Sequence, residues 1–189
     1  MFLHILISFL RIFLSLIPAI FMGFLLGLLA HKKRTVLIAV NFILNLPKFV
    51  FIPISMSIFG IGESAKFFAL FLTAVFPIAK SISVSLDTIS SELNMILKQS
   101  KIKSKASKLA LLPILIPFIV GSVNSCITTQ ISILSITECF GSKYGIGFYI
   151  IDCWLKLKYP EMIISIILVC ILGSGINFLL KKVEIKLLH

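Results

Sequence analysis

Leu109-Ala-Leu-Leu-Pro-Ile-Leu-Ile-Pro-Phe-Ile-Val-Gly-Ser-Val-Asn-Ser-Cys-Ile-Thr-Thr-Gln-Ile-Ser-Ile-Leu-Ser-Ile-Thr137 runs for 29 residues without a charge. A helix needs about 20 mostly apolar residues to cross a bilayer, so this stretch alone commits the chain to a membrane. Working outward, four more stretches read the same way. Residues 162–180 hold no charge, residues 67–86 only Lys80, and residues 35–62 only Lys48. Residues 2–30 are apolar but for His4 and Arg11. The expectation is an all-α polytopic membrane protein of about five transmembrane helices, forming one domain over residues 1–189. Composition agrees: 59% of the 189 residues are hydrophobic and mean hydropathy is +1.13, against about 45–50% apolar residues in soluble domains. The first span is too long for the apolar core of a secretory signal, and no small-residue cleavage site stands out after it, so it is expected to be a retained helix.

The net charge is +11, which in a soluble chain would suggest nucleic acid. Here the charge sorts by side. His31-Lys32-Lys33-Arg34 follows the first span. Lys98, Lys101, Lys103, Lys105 and Lys108 follow the third, and Lys181, Lys182 and Lys186 follow the fifth. The opposite connections mix Lys66, Lys143, Lys156 and Lys158 with Glu63, Glu138, Asp152 and Glu161. The positive-inside rule then places the N-terminus outside and the C-terminus in the cytoplasm. Basicity reports topology and contact with anionic membrane lipid, and no nucleic-acid partner is expected.

Three spans carry features beyond hydrophobicity. Gly23 and Gly27 lie four apart in the first, the spacing that lets helix backbones approach closely. Residues 35–62 hold Asn41, Asn45, Pro47, Lys48 and Pro53, so that span is expected to be broken. Polar groups and proline at membrane depth are tolerated where the backbone lines a cavity or meets protein. The segment therefore either bends beside a solute path, or holds a snorkelling Lys48 next to a simple proline kink. In the fourth span Gly121, Ser125, Thr128, Ser132 and Ser135 fall near one face, with Asn124 and Gln130 alongside. That stripe suits a polar path lining, or hydroxyls bonded to the preceding turn in a helix–helix contact. The polar island 87–108 begins with a surface helix over about 91–99: Ser90 can cap it, Glu92 suits its first turn, and Leu93, Ile96 and Leu97 share a face.

Chemistry-bearing clusters are not evident. Glu63, Asp87, Glu92, Glu138, Asp152, Glu161 and Glu184 are scattered, and His4, His31 and His189 lie near ends or loops. Cys126, Cys139, Cys153 and Cys170 have no metal or redox spacing. Cys139 and Cys153 share the expected outer side, which is compatible with a disulfide. Gly141, Gly145 and Gly147 do not form a phosphate loop, because a membrane helix rather than a strand precedes them. Trp154, Tyr149 and Tyr159 in the outer loop suit a membrane interface. No enzyme, metal or cofactor is expected in this chain.

The order of these features resembles the permease subunits of binding-protein-dependent ABC importers, especially the nitrate/sulfonate/taurine branch, along nearly the whole chain. Ser8-Phe-Leu-Arg11 resembles the entry to the first core helix, and Gly23/Gly27 the glycine pair within it. Leu46-Pro47-Lys-Phe-Val-Phe-Ile-Pro53 is similar to that family's IPxxxxxPL segment, and Phe59-Gly60-Ile61-Gly62-Glu63 to its FGIGE turn. Leu112-Pro113-Ile-Leu-Ile-Pro117 resembles its LPxxxP, and Glu138-Cys-Phe-Gly141 with Gly145-Ile146-Gly147-Phe-Tyr149-Ile resembles EMLG…GLGYLI.

The resemblance implies a MetI-like core of five helices, paired as a homodimer. It also implies a cytoplasmic coupling loop, about 87–112, that docks a separate ATPase. The family's coupling motif, EAA-x3-G-x9-I-x-LP, counted back from Leu112-Pro113, falls on Asn94-Met95-Ile96 and Ser100, with Ala110 at the isoleucine. Position and length match, whereas the glutamate, both alanines and the glycine are replaced. Asn94, Met95, Ile96, Ser100, Leu112, Pro113 and Pro117 are thus the expected coupling residues. Pro47, Asn124 and Thr128 are the expected path residues. An external binding protein would deliver a sulfonate, nitrate, bicarbonate or vitamin precursor, and ATP would be used by the partner subunit. Two alternatives are a vitamin-importer substrate-binding subunit, whose pocket would lie in the outer half, and a non-transporting membrane scaffold descended from a permease.

Overall fold

The computed structural model describes the backbone of residues 2–100 and 107–188 and the side chains of residues 2–89 and 116–186. Its helices are α1 (Phe2–Lys32), α2 (Arg34–Leu44), α3 (Phe51–Phe59), α4 (Glu63–Ser100), α5 (Ser107–Cys139), α6 (Ile146–Leu155) and α7 (Tyr159–Leu188), with a 3-10 turn at Lys48–Val50 between α2 and α3. Among the described residues there is no strand. Among the described residues four helices are long and apolar enough to cross a membrane: Phe2–Lys32, Glu63–Ile89, Ile116–Cys139 and Tyr159–Lys186. The remaining expected span is the pair α2–α3, whose two halves meet at 92°. Counted as one crossing, it makes five, and the chain is a multi-pass, all-α membrane protein.

The sequence of α1 explains its orientation. Ile5, Ser8, Ile12, Ser15, Ala19, Gly23, Gly27 and Ala30 are buried and recur every three or four residues, so they share one helical face. On the other face Phe13, Ile17 and Phe21 are exposed, as suits contact with lipid tails. The buried face packs chiefly on α4. A Cβ at Gly23 would stand 2.8 Å from Ile78 Cγ2, and one at Gly27 2.8 Å from the Ala79 carbonyl oxygen. The glycine pair is therefore a helix-packing device. Ile12, Leu16, Leu70, Ile78, Ile127 and Leu134 knit α1, α4 and α5 into one core.

Contacts at the two ends fix the helix directions. Arg11, near the start of α1, pairs with Glu63 at the start of α4, and His31 at the end of α1 pairs with Asp87 far along α4. The two helices are parallel. Glu138, at the end of α5, reaches Arg11, so α5 runs against them. Asn177 on α7 donates to Thr128 on α5. One end of the bundle gathers five basic residues (Arg11, Lys66, Lys143, Lys156, Lys158) and four acidic ones (Glu63, Glu138, Asp152, Glu161). At the other, Lys32, Lys33, Arg34, Lys181, Lys182 and Lys186 outnumber Asp87 and Glu184.

Two local expectations are corrected, and one open alternative is resolved. Ser90 does not begin a separate surface helix: α4 continues unbroken to Ser100. No glycine or proline lies between Pro77 and Ser100, so nothing ends the backbone hydrogen-bond ladder there. The connection after α5 is not only loop, because its apolar run folds as α6. Cys139 and Cys153 are both free thiols, as are Cys126 and Cys170. The Cys153 Sγ lies 3.9 Å from Glu161 Oε2 instead.

Candidate functional site

Two polar sites interrupt the apolar bundle, one at each end. The first is a clasp at the mixed-charge end. Glu138 is fully buried. Its carboxylate accepts hydrogen bonds from Arg11 Nη1 at 2.7 Å, Ser8 Oγ at 2.7 Å and the Gly147 N–H at 2.9 Å. Arg11 also grips both oxygens of Glu63, at 2.6 and 2.7 Å, and donates to the Tyr144 carbonyl at 3.0 Å. Lys66, 1% exposed, donates to Glu63 at 2.9 Å. The Ser8 hydroxyl in turn accepts the Ile146 N–H at 2.8 Å, and His4 Nδ1 accepts the Gly145 N–H at 3.1 Å.

The glycines after α5 serve this clasp. Gly145 has φ +133°, and a Cβ there would fall inside the Glu138 carboxylate. One at Gly147 would collide with the Ser135 carbonyl. The loop does cradle an anion at the N-terminus of α6, where free N–H groups and the helix dipole favour negative charge; the anion is the chain's own Glu138. Four charges of balanced sign thus bind α1, α4, α5 and the start of α6. Beside them Lys156 donates to Asp152 at 2.7 Å, and that carboxylate holds the lysine above its ordinary value. Burial, the Cys153 thiol and the Glu161 carboxylate push the Tyr149 phenol up to about 12.

The second site is a cavity of about 700 Å³ toward the basic end, walled by α2, the 3-10 turn, α4, α5 and α7. Among the described residues Lys48, Lys80 and Lys181 line it with one carboxylate, Glu184. Leu44, Pro77, Ser81, Phe118, Ser122 and Asn124 form much of the wall. The bend of the second span makes this cavity. Pro47 lacks the N–H that would continue α2, the chain turns, and Lys48 leaves the turn to donate to Thr129 Oγ1 on α5 at 3.3 Å. Pro77 likewise deprives the Thr73 carbonyl of its helical donor beside the same space. Lys48 is therefore not a snorkelling residue: it is held at mid-span of α5, half-buried, at the cavity wall.

Of the expected path residues, Asn124 lines the cavity. Pro47 shapes the bend from an exposed position, its neighbour Lys48 being the residue that faces in. Thr128 points to α7, where its hydroxyl accepts from Asn177 Nδ2 at 3.0 Å. The polar stripe of α5 divides. Gly121, Asn124 and Ser125 line the cavity; Ser125, Ser132 and Ser135 donate to carbonyls one turn back, at 3.1, 3.1 and 2.8 Å. Gln130, fully buried, donates to the Leu70 carbonyl at 3.2 Å and helps fix α5 to α4. The expected coupling residues Asn94, Met95, Ile96, Ser100, Leu112 and Pro113 lie outside the described side chains, and Pro117 is buried at the start of the α5 span.

No family model matches the chain. Curated relatives do. The nitrate import permease protein NrtB of Leptolyngbya laminosa is 26% identical over 88% of this chain and 60% of its own length. The choline transport system permease protein OpuBB of Bacillus subtilis (strain 168) is 26% identical over 97% of this chain and 85% of its own length. A probable ABC transporter permease protein of Brucella melitensis is 23% identical over 89% and 69%. The chain spans about three fifths of the length of the nitrate permease it matches. Its curated homologues are ABC transporter permeases, and the nitrate branch among them fits it.

Proposed function

We propose that the chain is the permease subunit of an ABC importer, carrying a small solute inward across the plasma membrane. The solute would be a sulfonate, nitrate, bicarbonate or vitamin precursor. The observation that carries this reading is the polar cavity at the bend of the second span, within a bundle whose homologues are permeases. The N-terminus lies outside and the C-terminus in the cytoplasm, a placement supported by the excess of lysine and arginine at the cavity end. Two copies pair in the membrane, and an external binding protein delivers the solute to the clasp end. A separate ATPase, which binds and hydrolyses the ATP, docks on residues 91–108 through Asn94, Met95, Ile96 and Ser100. The chain itself is not an enzyme. A pocket in the cytoplasmic half rather than the outer half favours this reading over a vitamin-binding subunit.

Relatives named for nitrate and for choline differ in the sign of the solute's charge, so that sign must come from the cavity of this chain. The test of the function is co-purification of the tagged chain with an ATPase subunit encoded nearby, from detergent-solubilised membranes. Deletion of residues 91–108 is expected to abolish the association. An association that survives the deletion would refute the docking assignment, and no association with any ATPase would refute the importer reading.

A further inference from the structure

We infer that the cavity binds a small anion, with Lys48 as the contact that discriminates it from a cation; this deepens the permease reading and rests on it. Among the described residues three lysines and one glutamate line the same space, Lys80 and Lys181 exposed and Lys48 half-buried. Lys80 and Lys181 form no ion pair among the described residues, and Lys48 makes a single hydrogen bond, to a neutral hydroxyl. An ammonium has three donors, so Lys48 keeps two for a ligand. An unpaired lysine at membrane depth is unfavourable, and an anion against Lys48 relieves that cost, whereas a quaternary ammonium adds to it. Asn124 lines the same space. Lys181 lies where α7 reaches the basic end, within reach of lipid headgroups. Lys48 does not, since Thr129 holds it midway along the Ile116–Cys139 span.

The test uses the purified full chain in detergent. Its unfolding temperature is followed against sodium nitrate, sodium bicarbonate and sodium methanesulfonate, with gluconate as filler to hold ionic strength, and against choline gluconate. At least one small anion is expected to raise the unfolding temperature saturably, and choline is not. Lys48→Gln should weaken the apparent affinity about tenfold or more, as loss of a charged hydrogen bond does. Lys48→Arg should restore most of it. Lys182→Gln, whose ammonium lies over the Phe178 ring rather than in the cavity, should leave it unchanged. The inference is overturned by a choline response without an anion response, by an anion response indifferent to Lys48→Gln, or by no saturable response to any of the three salts. It is overturned too if phosphatidylglycerol in the micelles abolishes the response, because the anion would then be a headgroup. ATPase co-purification, measured on the same variants, separates this failure from failure of the permease reading.

Discussion

Replacing Arg11 with methionine isolates the energetics of the clasp. The substitution keeps much of the side-chain length and removes every bond to Glu63, Glu138 and the Tyr144 carbonyl. Glu63 is 64% exposed and retains Lys66, so its loss is cushioned by solvent. Glu138 has 0% side-chain exposure and is left as a buried carboxylate with only Ser8 and the Gly147 N–H. Stranding one partner of a buried ion pair costs about 3–5 kcal/mol, which for a chain of this size lowers the unfolding temperature by about 6–20 °C. The assay is thermal unfolding in detergent followed by far-UV circular dichroism. Glu138→Gln alone should cost less, about 1–3 kcal/mol, because Arg11 keeps Glu63. The double variant Arg11→Met/Glu138→Gln removes the stranded charge and should be more stable than Arg11→Met alone. A cycle in which the two changes add to within about 0.5 kcal/mol, or an Arg11→Met cost below about 1 kcal/mol, would show that the pair is not what holds this end together.

Gly145→Ala places a methyl in the Glu138 carboxylate at φ +133°; a loss of about 2 kcal/mol or more, read in the same unfolding assay, is expected. Gly27→Leu should separate α1 from α4, and the resulting loss of folded yield in gel filtration should exceed that of Gly175→Leu, where nothing lies within 4 Å. Without reductant, denatured protein should take up four maleimide labels, since all four cysteines are free thiols. Lys66→Met should be nearly neutral in stability, because the partner it leaves, Glu63, is 64% exposed and keeps Arg11, so no buried charge is stranded. Glu63→Ala, which strands the buried Lys66, should cost about 2 kcal/mol more.

What the sequence made legible was whatever repeats locally. Uncharged runs of span length, glycines four apart in α1 and the proline-marked break at Pro47 each depend on near neighbours, and each has its counterpart in the fold. The fold's longest-range polar contacts had no such signal. Ser8 and Glu138 are 130 residues apart and Arg11 and Glu63 are 52 apart, so the acids looked scattered until helix packing brought them to one end. Arg11 looked like a blemish in an apolar run, although it is the cation that makes a buried Glu138 tolerable. Ser8–Arg11, Glu63 and Glu138–Gly147 belong to separate motifs, and nothing in the sequence around any of them indicates that they touch. The Ser90 cap failed for a different reason: a cap residue can start a helix only where the previous one stops, and nothing stops α4.

That continuity has a mechanical consequence. From Glu63 to Ser100, α4 is one rod of 38 residues, roughly 57 Å long at 1.5 Å per residue. It is fastened to α1 by Arg11 near one end and by His31 far along toward the other, with Gly23 and Gly27 seated against it between these ties. The pair resists sliding. A load applied beyond Ile89 travels along the helix with little lost to bending, except where the hydrogen-bond ladder has a missing rung. That rung is at Pro77, one turn from Lys80, both in the wall of the cavity. Compliance in this rod is concentrated where its wall faces the lysines.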